Sequence, residues 1–220
     1  MYLACDFKDA TRPSRTPPTG LDDTLALMGQ MGVHMTFDRD EEIYGQDEDA
    51  DLVYRVVKGA VRTSRMMSDG RRQVADFYHP GDLFGFETGP EHRFSAEALK
   101  TCEVLVLRRS ALRSAGGDVE RLAWAAATRQ LDRAHDHVLL LGRKTACEKV
   151  ASFLMDCLRD GVGESIDLPM GRRDMADYLG LTIETVSRTL SQLQTTHVVT
   201  FSATRRFRVT NLAAMARLAQ

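Results

Sequence analysis

The stretch GRRDMADYLGLTIETVSRTL, residues 171–190, restricts the fold more than any other part of the chain. Ala176 is small enough for a second helix to cross closely. Gly180 follows four residues later, where a tight turn needs positive φ, and Val186 faces back inward ten residues after Ala176. Thr182 stands just ahead of the second segment, with a hydroxyl to cap the free N–H groups of a helix start. A small residue, a glycine and a β-branched residue at these intervals describe a helix-turn-helix, two short helices at a steep angle. The first is expected to begin near Arg172.

This geometry assigns the faces of the second helix. With Val186, Leu190 and Leu193 inward, Ile183, Glu184, Ser187, Arg188 and Ser191 lie toward solvent. In a helix-turn-helix that face enters the major groove of DNA. Arg188 has the fork for O6 and N7 of a guanine, and Glu184, one turn earlier, can accept from a cytosine amine and hold Arg188 in place. Ser187 is short enough to sit against the bases, and Ile183 suits a thymine methyl. Arg172, Arg173, Thr182 and Thr185 are placed to grip phosphates. The plainer reading of Glu184 and Arg188 is a surface ion pair on a unit that contacts protein.

The surrounding chain favours nucleic acid. HVVTFSATRRFRVT alternates on both sides of a turn at Ser202 to Arg205, a β-hairpin wing, and Asn211 caps a last short helix. From Leu168 onward seven arginines face three acids, a local charge of +4, although the whole chain carries −2. The basic footprint is therefore confined to one module.

Upstream, from Met35 to Arg109, the period is two. YRVVKGAVRTSRMM, RRQVADFYHPGDLFGF and FSAEALKTCEVLVLRR alternate apolar and polar residues, with Gly59, Gly70 and Gly81 as turn punctuation eleven residues apart. That is the pattern of an antiparallel β-roll. A helix is expected from about Val119 to Arg143, with Trp124, Ala127, Leu131, Ala134, Val138 and Leu141 spaced 3, 4, 3, 4, 3. This heptad seam suits a second copy of the chain better than the chain's own roll, so a symmetric dimer is expected. KTACEKVASFLMDCLRD reads as a further amphipathic helix, ended by Gly161, with Val150, Phe153, Leu154 and Cys157 inward.

The resulting fold class is α+β. A flexible tail (1–20) precedes a β-roll (21–115, opening on a short helix with Leu21, Leu25 and Met28 on one side), a dimerisation helix (116–145) and a winged helix-turn-helix (146–220). No apolar targeting segment or membrane-length run is visible, and Cys5, Cys102, Cys147 and Cys157 form no CxxC pair. A cytoplasmic chain without disulfides, cofactor, metal or catalytic residues is expected.

YRVVKGAVR and HPGDLFGFE in the roll, LLLGRKTACEKVASFL after the long helix, and DYLGLTIETVSRTLSQL in the helix-turn-helix together resemble the CRP/FNR family of bacterial transcription factors over nearly the full length. Glu184, Ser187 and Arg188, as E-x-x-S-R, are similar to the FNR and FixK branch; the cyclic-AMP receptor branch would have Arg at Ile183 and Gly at Ser187. The resemblance implies a roll of the cyclic-nucleotide-binding type and a homodimer on TTGA-type palindromic DNA. It also implies that the acidic loop Asp47, Glu48, Asp49 and Asp51 can touch RNA polymerase, although such a loop read alone is a solvated hairpin tip.

The sensing chemistry of the family does not carry over. Its iron–sulfur branch needs three clustered N-terminal cysteines besides the one matched by Cys102, and here only Cys5 is available. Its nucleotide pocket needs an acid where Phe86 stands, one place before Glu87, and an Arg-Ser pair where Phe94 separates Arg93 from Ser95. A one-residue shift along a strand reverses side-chain facing. Two alternatives remain: a regulator of the same fold gated by a cyclic nucleotide or another small effector, and a cupin-like metalloenzyme using His79, His92 and Glu87. The second lacks an HxH pair and leaves the C-terminal module unexplained.

Overall fold

The structure, a computed structural model, describes residues 28–115, 117–160 and 165–219. The expected tail with Cys5, the helical positions Leu21 and Leu25, and the helix stop at Gly161 lie outside the described residues; Met28 is fully buried.

Among the described residues eight strands form the roll: β1 Val33–Phe37, β2 Glu42–Tyr44, β3 Leu52–Lys58, β4 Val61–Met66, β5 Arg72–Tyr78, β6 Leu83–Phe84, β7 Ser95–Ala98 and β8 Cys102–Arg108. They make two antiparallel four-stranded sheets, ordered β1-β8-β3-β6 and β2-β7-β4-β5. Alternation drives the packing. Tyr54, Val56 and Val104 from one sheet meet Val61, Ala96 and Ala98 from the other inside the roll. Gly59, in the β3–β4 turn at φ 102, lies so close to β8 that a Cβ there would come within 2.7 Å of the Cys102 Cα.

Both sheets are covered on their outer faces as well. Val53, Leu83, Leu105 and Leu107 pack beneath helix α1 (Arg109–Ala115) and the start of α2 (Gly117–Arg143), against Leu112, Val119 and Ala126. The other outer face is built by a bulge. Thr63 pairs with Asp76 but Ser64 with Val74, leaving Ala75 unpaired. The extra residue reverses the facing of the later positions on β5. Val74 before it and Phe77 after it therefore both join the core of the C-terminal module, with Ala60 and Leu99.

Helix α2 buries Val119, Ala126 and Leu140 on the side toward its own chain. Trp124 (76 % exposed), Leu131 (56 %) and Val138 (68 %) stand on the opposite side, joined by Leu139 (63 %). Ala134 is exposed and Ala127 half-buried. Leu141 departs from the expected seam: it is half-buried in the C-terminal core, its Cδ2 3.3 Å from a Cβ built on Gly180. A straight helix turns by about 100° per residue, so a 3-4 seam drifts and Leu141 lies about 100° round from Trp124. Leu139, on the other flank, takes the exposed place.

The C-terminal module contains α3 (Ala146–Asp160), α4 (Arg172–Leu179), α5 (Ile183–Thr195) and α6 (Leu212–Leu218), with a small sheet ordered β10-β11-β9 (β9 Ser165–Asp167, β10 Val199–Ala203, β11 Arg206–Val209). Val150, Leu154, Met175, Leu179, Val186, Leu193, Phe207 and Met215 form its core. Among the described residues no helix is long and apolar enough to cross a membrane.

Candidate nucleic-acid interface

The turn between α4 and α5 forms as its residues dictate. Gly180 adopts the left-handed conformation (φ 61, ψ 40), and its N–H donates to the Ala176 carbonyl, closing α4. Thr182, extended at φ −85, accepts the Thr185 N–H at 3.2 Å and starts α5. Ala176, Val186, Leu190 and Leu193 are buried between the helices. At the far end, Asn211 Oδ1 accepts the Ala214 N–H at 2.9 Å and caps α6.

The outward face of α5 contains what the spacing assigned to it. Ile183, Glu184, Arg188 and Ser191 are exposed, and Ser187 and Thr185 half-buried. Arg172 Nη1 donates to Ser187 Oγ at 3.3 Å, joining the start of α4 to this face, and Arg173 beside it is exposed. The Thr182 and Thr185 hydroxyls lie 3.1 Å apart.

One expected contact is replaced by another. Glu184 is not within ion-pairing distance of Arg188; it turns back over the helix start. Its carboxyl is held below the usual carboxylate range first by its own backbone N–H, then by the Thr182 hydroxyl, with the Arg188 charge a minor contributor. An exposed i, i+4 ion pair is weak and screened by solvent, and the free N–H groups at a helix N-terminus compete for the same carboxylate. The Arg188 fork is left open toward solvent.

The wing is present, and two of its arginines are structural. Arg206 grips Asp167 through two bonds of 2.7 and 2.9 Å, tying β11 to β9, and Arg205 Nη1 donates to the Pro169 carbonyl at 3.3 Å. Arg208 is exposed. The basic surface therefore rests on Arg172, Arg173, Arg188, Arg208 and Arg217, all exposed. What sequence reasoning did not find is how this module is held: Arg62 and Arg72 of the roll reach Asp174 and Asp177 on α4.

Two family models divide the chain, a cyclic nucleotide-binding domain over residues 34–116 and a Crp-like helix-turn-helix domain over 148–218. The nitrogen fixation regulation protein FixK of Azorhizobium caulinodans is 44 % identical over 201 residues, 87 % of this chain and 81 % of that protein. The chain is a FixK-like member of the CRP/FNR family. The transcriptional activatory protein AadR of Rhodopseudomonas palustris is 40 % identical, over 77 % of this chain and 79 % of its own length. The solved structure of FixK2 from Bradyrhizobium japonicum superposes with a TM-score of 0.82 at 48 % identity, covering 86 % of this chain and 98 % of that one. This FixK-like chain is thus a DNA-binding transcription regulator of the CRP family and not an enzyme.

Within this CRP/FNR regulator the nucleotide-pocket positions are occupied otherwise. Arg93 is exposed, and its N–H donates to Glu87 Oε1 at 3.1 Å, while Ser95 Oγ accepts the Gln46 N–H at 2.9 Å. His92 is buried in the roll and stacked on Tyr44 with centroids 3.7 Å apart, beside Tyr54 and Phe84. Among the described residues, no three metal-ligating side chains converge. Burial pushes the Cys102 thiol up to about 11, which keeps it protonated at neutral pH.

The backbone of His92 also shapes the acidic loop. Its N–H donates to the Glu48 carbonyl and its carbonyl accepts the Asp47 N–H, both at 2.8 Å. Asp47, Glu48, Asp49 and Asp51 are exposed, but the Glu48 carboxylate is turned onto the Gly45 N–H at 2.9 Å, leaving three carboxylates outward.

Proposed function

We propose that this FixK-like regulator is a cytoplasmic transcription activator that binds TTGA-type palindromic DNA as a homodimer. Ile183, Glu184, Ser187 and Arg188 read base edges, and Arg172, Arg173, Thr182 and Thr185 contact phosphates. One observation supports this most directly: the Arg188 guanidinium is exposed and outside ion-pairing distance of Glu184, on a helix whose inner face is buried and whose start is capped. A guanidinium in that state can present two parallel donors to a guanine without first breaking a bond within the protein. The activator role is carried over from relatives such as the transcriptional activatory protein AadR.

Dimerisation is supported by the exposed stripe of Trp124, Leu131, Ala134 and Val138, with Ala127 at its edge and Leu139 in the place expected of Leu141. Twofold symmetry would set two α5 helices about 34 Å apart, one turn of the duplex. The outward carboxylates of Asp47, Asp49 and Asp51 form the surface for RNA polymerase.

The cyclic nucleotide-binding match over 34–116 raises a second reading, in which a small effector gates the protein. The aromatic packing around His92 and the solvent-facing Arg93 argue against a cyclic nucleotide. A mobility shift on a TTGA-type palindrome, with and without cyclic AMP, tests both readings. Tight binding on the matched duplex, loss on a scrambled one and no response to the nucleotide are expected. Arg188→Ala should cost about 1–3 kcal/mol of specific binding. Equal affinity of the wild type for matched and scrambled duplexes would overturn the proposal.

A further inference from the structure

Helix α4 carries two carboxylates, Asp174 and Asp177, in a module whose partner is a polyanion. Both are engaged by arginines from the roll. Arg72, on β5, donates from Nε to Asp177 Oδ2 at 2.8 Å, and from Nη2 to Asp174 Oδ1 and Asp177 Oδ2, both at 2.7 Å. Arg62, on β4, donates from Nη1 to Asp174 Oδ1 at 2.8 Å while its Nε holds Glu97 at 2.7 Å. These side chains retain only 11 % (Arg62), 19 % (Arg72), 10 % (Asp174) and 24 % (Asp177) of their exposure. Burial works against the Arg72 charge, but the Asp177 hydrogen bond and the charges of Asp174 and Asp177 outweigh it and raise its pKa.

The same helix is gripped at its C-terminal end, where the last carbonyls of a helix lack partners of their own. The Tyr178 carbonyl accepts from His137 Nε2 of α2 at 2.7 Å and from Gln73 Nε2 of β5 at 3.4 Å; the Leu179 carbonyl accepts from Lys149 Nζ of α3 at 3.2 Å. The Tyr178 ring stacks on His137, centroids 4.1 Å apart, and lies against Phe77. Helix α4 is therefore fixed to the roll and to the long helix at once. Because α5 packs on α4, the direction of the recognition face is fixed with it.

We propose that Arg62 and Arg72 are positioning residues for DNA binding: lodged in the roll, they set the orientation of the helix-turn-helix relative to the long helix and so the distance and angle between two recognition helices in a dimer. This rests on the function proposed above. Neither arginine touches DNA. When the clamp is lost, only a fraction of molecules presents both helices correctly, and apparent affinity falls by that fraction.

The experiment compares wild type, Arg72→Lys and Asp177→Asn, each confirmed as a folded dimer by circular dichroism and sedimentation. Titrations use palindromes whose half-site separation is correct, one base pair shorter or one longer. Both variants should lose about tenfold or more on the correct spacing and much less on the altered ones, so that spacing preference flattens. Asp177→Asn is the sharper arm. It removes a negative charge from the DNA-binding module, which acting through charge alone would tighten binding, whereas a positioning role requires it to weaken. Unchanged or tighter binding, or an equal loss on every spacing, would overturn the proposal. If neither variant folds as a dimer, the contacts serve folding and the proposal is overturned as well. A wild type that cannot tell a palindrome from a scrambled duplex would refute the DNA-binding function instead, so the two failures are distinguishable.

Discussion

Gly180→Ala asks the backbone for a conformation that side chains avoid, and the structure gives both the sign and the size of the response. At φ 61, ψ 40 an L-residue costs about 1–2 kcal/mol relative to glycine. The added Cβ would sit 3.3 Å from Leu141 Cδ2, a contact that a shift of a few tenths of an ångström at the end of a flexible side chain relieves. The total is about 1–2 kcal/mol of lost stability, or about 2–8 °C in Tm for a chain of this length. At Gly142, in helical backbone with nothing within 4 Å, the same replacement should instead stabilise by about 0.4–1 kcal/mol. Urea and thermal denaturation followed by circular dichroism at one fixed protein concentration reads both. A Gly180→Ala protein as stable as wild type, or more stable, would refute the assignment of this glycine as the conformational pivot of the helix-turn-helix.

Replacing Leu131 and Val138 by glutamate should yield monomers that no longer hold a two-half-site duplex; a variant that sediments as a dimer would contradict the exposed stripe as the interface. His137 is half-buried, and its partial loss of solvent lowers its pKa; the hydrogen bond to the Tyr178 carbonyl opposes this and the Lys149 charge adds to it. The unfolded chain takes up a proton near pH 6.5 while the folded one resists, so this contribution to stability is complete above about pH 6.5 and is lost as pH falls. Unfolding free energy should drop more between about pH 7 and 5 in wild type than in His137→Gln, and equal slopes would count against it.

The elements that were legible from the sequence are those whose causes are local. The Gly180 turn and the Thr182 and Asn211 caps each depend on residues within a few positions, and each stands where its spacing required. Strand alternation likewise exposed the roll. Strand β9 was not legible: Ser165–Asp167 is three residues long and exists because β11 and the Arg206–Asp167 pair recruit it across 39 residues. The clamp was hidden for the same reason, since Arg72 and Asp177 are separated by 105 residues and only the bulge at Ala75 brings Val74 and Phe77 to the same module. Leu141 and the Glu184–Arg188 pair failed differently. A heptad read as a flat seam ignores the drift of a 3.6-residue helix, and a weak exposed ion pair yields to a nearby helix terminus.

Substituting one atom in the DNA tests whether Arg188 reads a guanine through its major-groove edge. In a matched palindrome, 7-deazaguanine at the half-site guanine removes N7 and leaves base pairing intact. Wild type should lose about half or more of the roughly 1–3 kcal/mol that a bidentate contact supplies, at least about two- to twelvefold in affinity. Arg188→Ala, already without the fork, should bind normal and modified duplexes equally. Equal binding of the two duplexes by wild type, or an equal loss in wild type and in Arg188→Ala, would show that Arg188 does not read that guanine.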